Sequence, residues 1–439
     1  RFAVTCIMTT LLLTTFEFAQ ETRPVSTTGK SDHGQSTAQQ TSSVAAKTDE
    51  SSDAKSSDST KKADADQVSP GDGTNRVWPW QWSRMTGNWH GRRSRLEEKG
   101  LTFRGTLTFD TSRVGDDGDS RNYIGRGLIN LRADFDLGTM LGWKDTTASV
   151  QYFSAIGRNG AETMSVLQGI SNIDADDFHK IGEAWISHSF FDRRLRIKAG
   201  WMDANTEFAF TENGGEFINP AMGYSPTIAS LPTYPDPSLG FDVFAYPAKY
   251  FSAGFGLYKS EYGGRFLIGE TDARWHLFDG DLNGRLGVGL WRRQCEWTRL
   301  DGSLTKTTNG SFVVFDQTIW KEQRHSDDPQ GLGLFVQVGN TNPDDAVMNR
   351  HLGAGLSWTG LLPHRDHDVL GVAMTRVTIN RHAAADMGNN HEIIGEFFYK
   401  FGLTPWFSVK PDVQYISSPI PGIIGHRSVV ATLRVGFDF

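Results

Sequence analysis

The chain has 439 residues, enough for two or three water-soluble domains or one large β-barrel, and its net charge of −7 without a long basic block argues against nucleic acid as a partner. No 18-residue apolar run follows the first twenty residues, so helical membrane spans are not expected. The 47 glycines and 12% aromatic residues suit a barrel, where only alternate residues face lipid.

Residues 1–19 have a basic start, an apolar stretch and a small residue before Gln20, and read as a secretory signal peptide; a single short membrane anchor is the competing reading. Arg1 stands where an initiator Met is expected, so the natural start is expected elsewhere. Cys6 lies in this leader, which leaves Cys295 alone; neither an intrachain disulfide nor a cysteine metal site is expected. Residues 20–75 are rich in Ser, Thr, Ala, Lys, Asp and Gln and are nearly free of large apolar side chains, the composition of a disordered periplasmic spacer. Residues 76–100 crowd Trp78, Trp80, Trp82 and Trp89 together, then read as a short basic helix over 91–99 that Gly100 stops. A capping role with interfacial tryptophans is expected for this segment.

From residue 101 onward the residues alternate. Over 101–110, Leu101, Phe103, Leu107 and Phe109 take one face, and Arg104 and Asp110 the other. Over 129–137, Ile129, Leu131, Ala133, Phe135 and Leu137 oppose Asn130, Arg132, Asp134 and Asp136. Similar strands are expected at 147–153, 181–188, 195–203, 241–246, 250–258, 266–277, 285–293, 312–320, 332–339, 351–358, 369–377, 392–401 and 407–416, with weak alternation near Phe312 and Val369. The last strand, 429–439, places Val429, Leu433, Phe437 and Phe439 outward and Thr432, Arg434 and Asp438 inward, with an aromatic end suited to ring closure and recognition by the barrel-assembly machinery. The fold class is therefore all-β: a transmembrane antiparallel β-barrel of about sixteen strands, preceded by a short helix and a disordered spacer.

The connections fit a barrel that starts from the periplasm. Those at 191–194, 247–249, 278–282 and 402–406 are short; those at 114–126, 156–178, 204–240 and 294–309 are longer, and 260–265 is a short exception. The longest follows the fifth strand, where many sixteen-stranded porins fold a loop into the channel.

Inward positions carry both signs. Arg132, Arg196, Lys198, Arg274, Arg285, Arg293, Lys400, Lys410 and Arg434 face Asp134, Glu183, Asp242, Glu270, Asp272, Glu392, Glu396 and Asp412. A ring of one sign would select ions, whereas a mixed hydrogen-bonding wall suits a neutral solute with many hydroxyls. Trp185, Phe244, Tyr246 and Trp291 also read as inward, and aromatic faces stack on sugar rings. The plainer reading is that charges of both signs pair and stiffen the wall.

Three ordered blocks resemble the carbohydrate-selective outer-membrane porins of the OprB type, over residues 86–439. The first is T-G-N-W-H-G-R-R-S-R-L-E-E-K-G at 86–100, with His90 where the family more often has Gly. The second is G-W-M-D-A-N-T-E-F-A at 200–209, followed by Pro232, Tyr234, Pro235 and Gly240. The third and most specific is L-T-P-W-F-S-V-K-P-D-V-Q-Y-I at 403–416, then Pro419. The resemblance implies a Gram-negative outer-membrane location and facilitated diffusion of glucose and other small sugars, with outer-membrane lipid as surroundings and no cofactor. The spacer departs from the shorter amino terminus of that family. Pattern and loop position add Glu207, Glu212, Asn213 and Glu216 as channel-lining candidates.

A general or weakly ion-selective pore is the alternative within the class. A structural barrel is a third reading. An enzyme is not expected, because no nucleophile elbow or other catalytic spacing occurs. His364, Asp366, His367 and Asp368 sit beside Pro363 in an expected short turn and read as solvated rather than metal-binding.

Overall fold

The computed structural model of the chain describes residues 79–115, 123–164, 166–260, 263–278, 282–300, 302–323, 329–383, 390–417 and 427–439. The expectations for residues 1–75 and for Trp78 and Pro419 lie outside these residues.

Alternating side chains make strands, and sixteen of them form. They begin with β1 (Leu101–Gly115), β2 (Tyr123–Asp136), β3 (Thr146–Gly157), β4 (Phe178–Phe190), β5 (Leu195–Met202), β6 (Ser238–Ala248), β7 (Phe251–Lys259) and β8 (Arg265–Leu277). They continue with β9 (Leu282–Thr298), β10 (Leu304–Lys321), β11 (Gly331–Thr341), β12 (Met348–Thr359), β13 (Val369–Ile379), β14 (His391–Thr404), β15 (Phe407–Ser417) and β16 (Arg427–Asp438). Each pairs antiparallel with its neighbours in sequence, and β16 pairs with β1, from Thr106 opposite Asp438 to Gly115 opposite Val429. Closure satisfies the backbone polar groups that an open edge would leave in hydrocarbon.

The outer face is apolar because every second residue of each strand points there. Val288, Leu290, Met374, Phe397 and Leu433 are exposed, Leu290 by 67%. In water this would be a liability, and it is the kind of band that suits a bilayer. At the short-turn end, aromatic residues gather. Phe407 and Phe437 stack at 5.0 Å, and Trp320 lies 5.8 Å from Trp358, as an interfacial girdle requires. The amide and carbonyl of Phe439 bond to the carbonyl and amide of Gly105 at 2.8 and 2.6 Å, which extends the closing pair to the last residue.

The helix spans Arg92–Glu98, within the expected 91–99. It ends at Gly100, where φ is +86° and a Cβ would meet the Asp136 carbonyl oxygen at 2.8 Å. Arg93 is buried and donates to the Phe103 carbonyl at 2.6 Å and the Thr86 hydroxyl at 3.2 Å, which fastens the helix to the start of β1. Its guanidinium lies 5.0 Å from the Trp89 ring.

Several boundaries differ from those read in the sequence. Asp136 does not face the lumen: it caps a second short helix, Leu137–Leu141, accepting from Gly138 N and Thr139 N. The connection expected at 294–309 contracts to 299–303, because the polar residues on either side continue β9 and β10 as a hairpin. The 114–126 connection contracts likewise, since β1 runs to Gly115 and β2 starts at Tyr123. Alternation near Phe312 is weak for a physical reason: Phe312 and Val314 point inward and are buried among apolar residues of the long loop.

Candidate functional site

The loop of residues 203–237, between β5 and β6, enters the barrel. Wall carboxylates hold it by its backbone. Glu270 on β8 accepts from Ala209 N at 2.7 Å, and Asp316 on β10 from Asn213 N at 2.9 Å. Glu396 on β14 accepts from Ile218 N and Asn219 N at 2.6 and 2.9 Å. Starting from β5, the loop therefore reaches β14 and crosses the lumen. A loop amide inside a barrel has no strand partner, and a carboxylate oxygen supplies one. Beneath it, Phe208, Tyr224, Ile228 and Leu231 pack on Tyr258, Phe266, Trp291 and Phe312. The inner wall over β6–β10 thus carries an apolar patch among its buried charges.

A second segment, 166–177, also lies inside, which the sequence reading did not anticipate. Glu392 accepts from Leu167 N at 3.1 Å and Gln168 N at 2.9 Å; Gln414 donates to the Ile170 carbonyl at 2.8 Å. The two segments bond to each other, Asn172 N to the Ile218 carbonyl at 2.8 Å and Asn219 Nδ2 to the Gly169 carbonyl at 2.9 Å.

On its water side the long loop presents Glu207, Phe210, Glu212, Asn213 and Glu216. Each glutamate meets cations of the wall. Glu207 pairs with Arg196 and, at 2.9 Å, with Lys198. Glu212 pairs with Arg274 at 2.8 Å. Glu216 pairs with Lys400 at 2.7 Å and Lys410 at 2.9 Å. Burial alone would raise the Glu207 carboxyl, but Lys198 and then Arg196 outweigh it and hold it at about 2. The same opposition, with Lys410 and then Lys400, holds the Glu216 carboxyl well below the usual range. At the loop's start Asp203 has no ion-pair partner among the described residues. It accepts from Asn205 N, Thr233 Oγ1 and Tyr234 N, yet burial first and the Glu183 charge second push its carboxyl up to about 7.

The sequence-predicted residues divide into two groups. Trp185, Arg196, Glu207, Glu212, Asn213, Glu216 and Arg274 are exposed or half-buried, as are Arg132 and Asp134, which pair at 2.7 Å. Trp185 donates to Glu183 at 3.0 Å and is flanked by Lys198, 4.4 Å from its ring, and Arg132, 5.5 Å from it. Glu183, Lys198, Asp242, Arg285, Lys410 and Asp412 are instead buried and act as supports. Arg285 is 1% exposed, bonded at 2.6 Å to both Glu270 and Asp272 and at 2.8 Å to the Phe210 carbonyl. Asp242 accepts from the Tyr258 hydroxyl at 2.6 Å. Phe244 and Trp291, read as possible sugar platforms, are corrected: both are buried beneath the loop and offer no face to a solute. Of the four aromatics, Trp185 and Tyr246 keep partial exposure. Sequence reasoning missed Phe210 and Asp316. It read Glu270, Glu392 and Glu396 as lumen charge, whereas they hold loops.

A closed sixteen-stranded barrel, apolar outside and constricted inside by a folded-in loop with paired charges, is an outer-membrane porin. The chain belongs to the OprB family of carbohydrate-selective porins, whose sequence profile matches residues 122–264 and 279–439. It is a sugar-channel porin of the Gram-negative outer membrane and not an enzyme. It is similar to porin QuiX of Acinetobacter baylyi, with 22% identity over 79% of this chain and 90% of that protein. It is similar also to Porin B of Pseudomonas aeruginosa, with 21% identity over 76% and 87% of the two chains. The high-pH structure of Pseudomonas putida OprB shares the fold, with a TM-score of 0.74 and 20% identity over 82% of this chain and 99% of that one.

Proposed function

We propose that the channel passes small neutral sugars, glucose among them, by facilitated diffusion between loop residues 206–216 and the facing wall. The observation that carries this reading is the pairing of every glutamate of that loop segment with wall cations. Charges so paired line the passage with donors and acceptors of both signs rather than a ring of one sign, which suits hydroxyl-rich solutes. Arg132, Trp185, Arg196, Glu207, Glu212, Asn213, Glu216 and Arg274 would meet the solute. Glu183, Lys198, Asp242, Arg285, Lys410 and Asp412 would hold them, and Asp134 would orient Arg132. The apolar outer band would contact outer-membrane lipid, and the aromatic-ended last strand would engage the barrel-assembly machinery. Residues 1–19 would direct export and 20–75 would form a periplasmic spacer.

The test is conductance of the purified protein in a planar bilayer as glucose is titrated. A saturable fall in ion current supports a sugar site in the passage. A steady current indifferent to glucose and to other small sugars would assign a general pore instead.

A further inference from the structure

The outward rows of the barrel end differently at its two rims. At the short-turn rim they finish on apolar residues such as Leu277, Leu332 and Trp358. At the opposite rim, where the longest loop leaves, several finish on an exposed cation. Three of these cations meet on adjacent strands. Lys259 on β7 stands directly opposite Arg265 on β8. Arg265 stands opposite Gln294 on β9, and Leu267 opposite Arg292, so Arg292 is the diagonal neighbour of Arg265. Below them on the same outward face lie Leu257, Leu267 and Leu290.

Like charges directly opposite in a sheet repel, and diagonal neighbours lie only about 7–8 Å apart. Among the described residues no carboxylate pairs with Lys259, Arg265 or Arg292 at salt-bridge distance. Such a cluster is stable when an anion sits over it, and guanidinium groups bind phosphate oxygens with directed hydrogen bonds. Its place matters. It tops the apolar band at the end with the long loops, the outer-leaflet side of an outer-membrane barrel. A free ion would use the cations alone; a lipid would also cover the leucines beneath them.

We propose that Lys259, Arg265 and Arg292 bind the phosphate groups of a phosphorylated glycolipid of the outer leaflet, whose acyl chains lie over Leu257, Leu267 and Leu290. The full chain, purified in neutral detergent, is titrated with bisphosphorylated lipid A, with its dephosphorylated form and with inorganic phosphate, and bound species are counted by native mass spectrometry. The triple variant Lys259→Gln, Arg265→Gln, Arg292→Gln is expected to bind bisphosphorylated lipid A about tenfold more weakly. The dephosphorylated lipid binds both proteins equally, and inorganic phosphate at the same concentration does not displace lipid A. Heat-dependent mobility and single-channel conductance report that the variant barrel is folded. If the triple variant does not fold, Arg292→Gln alone must weaken lipid A binding about threefold. Binding within a factor of two of wild type in the folded variant overturns the proposal; so does displacement by inorganic phosphate, which would make this an ion site.

Discussion

Replacing Glu216 with Gln tests whether the loop glutamates set the field of the passage. Glu216 lies between Lys400 and Lys410, at 2.7 and 2.9 Å, and its side chain is 35% exposed. The substitution keeps the size and loses one negative charge. Around loop residues 207–216 three carboxylates face five cations, so the constriction becomes more positive by one. A unit charge about 7 Å from a passing ion in water contributes about 0.6 kcal/mol. Cations lose that much and anions gain it, so the anion-to-cation permeability ratio should rise about sevenfold at low salt and about threefold near 0.1 M, where screening halves the interaction. Loop docking should weaken by about 3 kcal/mol, because buried Lys410 loses its charged partner but keeps the Glu216 carbonyl, while Glu270, Asp316 and Glu396 still hold the loop. The assay is the reversal potential across a bilayer under a KCl gradient. Glu98→Gln, on the exposed side of the helix, is the control and should not move it. An unmoved reversal potential in Glu216→Gln would show that ions do not pass this residue and refute the assigned passage.

Glu396→Ala should free the loop, since two buried amides, Ile218 N and Asn219 N, lose their acceptors at about 1–3 kcal/mol each; single-channel conductance should rise, and a conductance equal to wild type would show that the loop is held elsewhere. Gly200→Ala should prevent folding or destabilise the barrel by about 1–3 kcal/mol, because φ there is +143° and the new Cβ would lie 2.3 Å from the Ala184 carbonyl oxygen; a wild-type heat-induced band shift would contradict this. The pH dependence has two opposite parts. Glu207, held at about 2, ties the loop fully above the ordinary glutamate range and loses its contribution as pH falls from about 4.5 toward 2. Asp203, raised to about 7, contributes fully below the ordinary aspartate range and loses its contribution as pH rises through 7. Proteolysis of the 203–237 loop, normalised to cleavage of unfolded protein, should therefore increase from pH 5.5 to pH 8 and be flat in Asp203→Asn; a wild-type profile flat over that window would place the Asp203 carboxyl outside it.

The barrel was legible because period-two alternation is a local property. Val429, Leu433 and Phe437 need only lipid outside, and Thr432 and Arg434 only water or a partner inside, so the final strand could be read without knowing what it pairs with. The faces of the strands in the lumen were harder to read, because their environment is made by residues far away in sequence. Phe312 and Val314 break the inward-polar pattern since Ile228 and Leu231 of the loop cover them. Phe244 and Trp291 pointed inward as read, but inward proved to mean under the loop rather than toward a solute. Strand ends were misread where polar hairpins continue past the membrane, as at Thr298 and Leu304, because no change of periodicity marks the water boundary.

Glu270, Glu392 and Glu396 point inward as read, but they hold loop backbone rather than offering free charge to the lumen. A carboxylate on a barrel wall can face water, pair with a cation or accept from a backbone amide, and alternation does not distinguish these. Two adjacent free amides need two acceptor oxygens, and the Glu396 carboxylate supplies them to Ile218 and Asn219, as Glu392 does to Leu167 and Gln168. The residues 203–237 and 166–177 contain no Lys, Arg or His, so their own side chains could not have drawn such carboxylates. Their backbone did, and backbone demand is invisible in composition. It follows that a loop glutamate and a wall glutamate do different work here. Glu207, Glu212 and Glu216 pair with wall cations and, in the proposed passage, would set its charge. Glu270, Glu392 and Glu396 are buried and hold the segments that shape it. Substituting the first group should alter selectivity with the loop in place; substituting the second should alter conductance by releasing the loop, and the two signatures separate the roles.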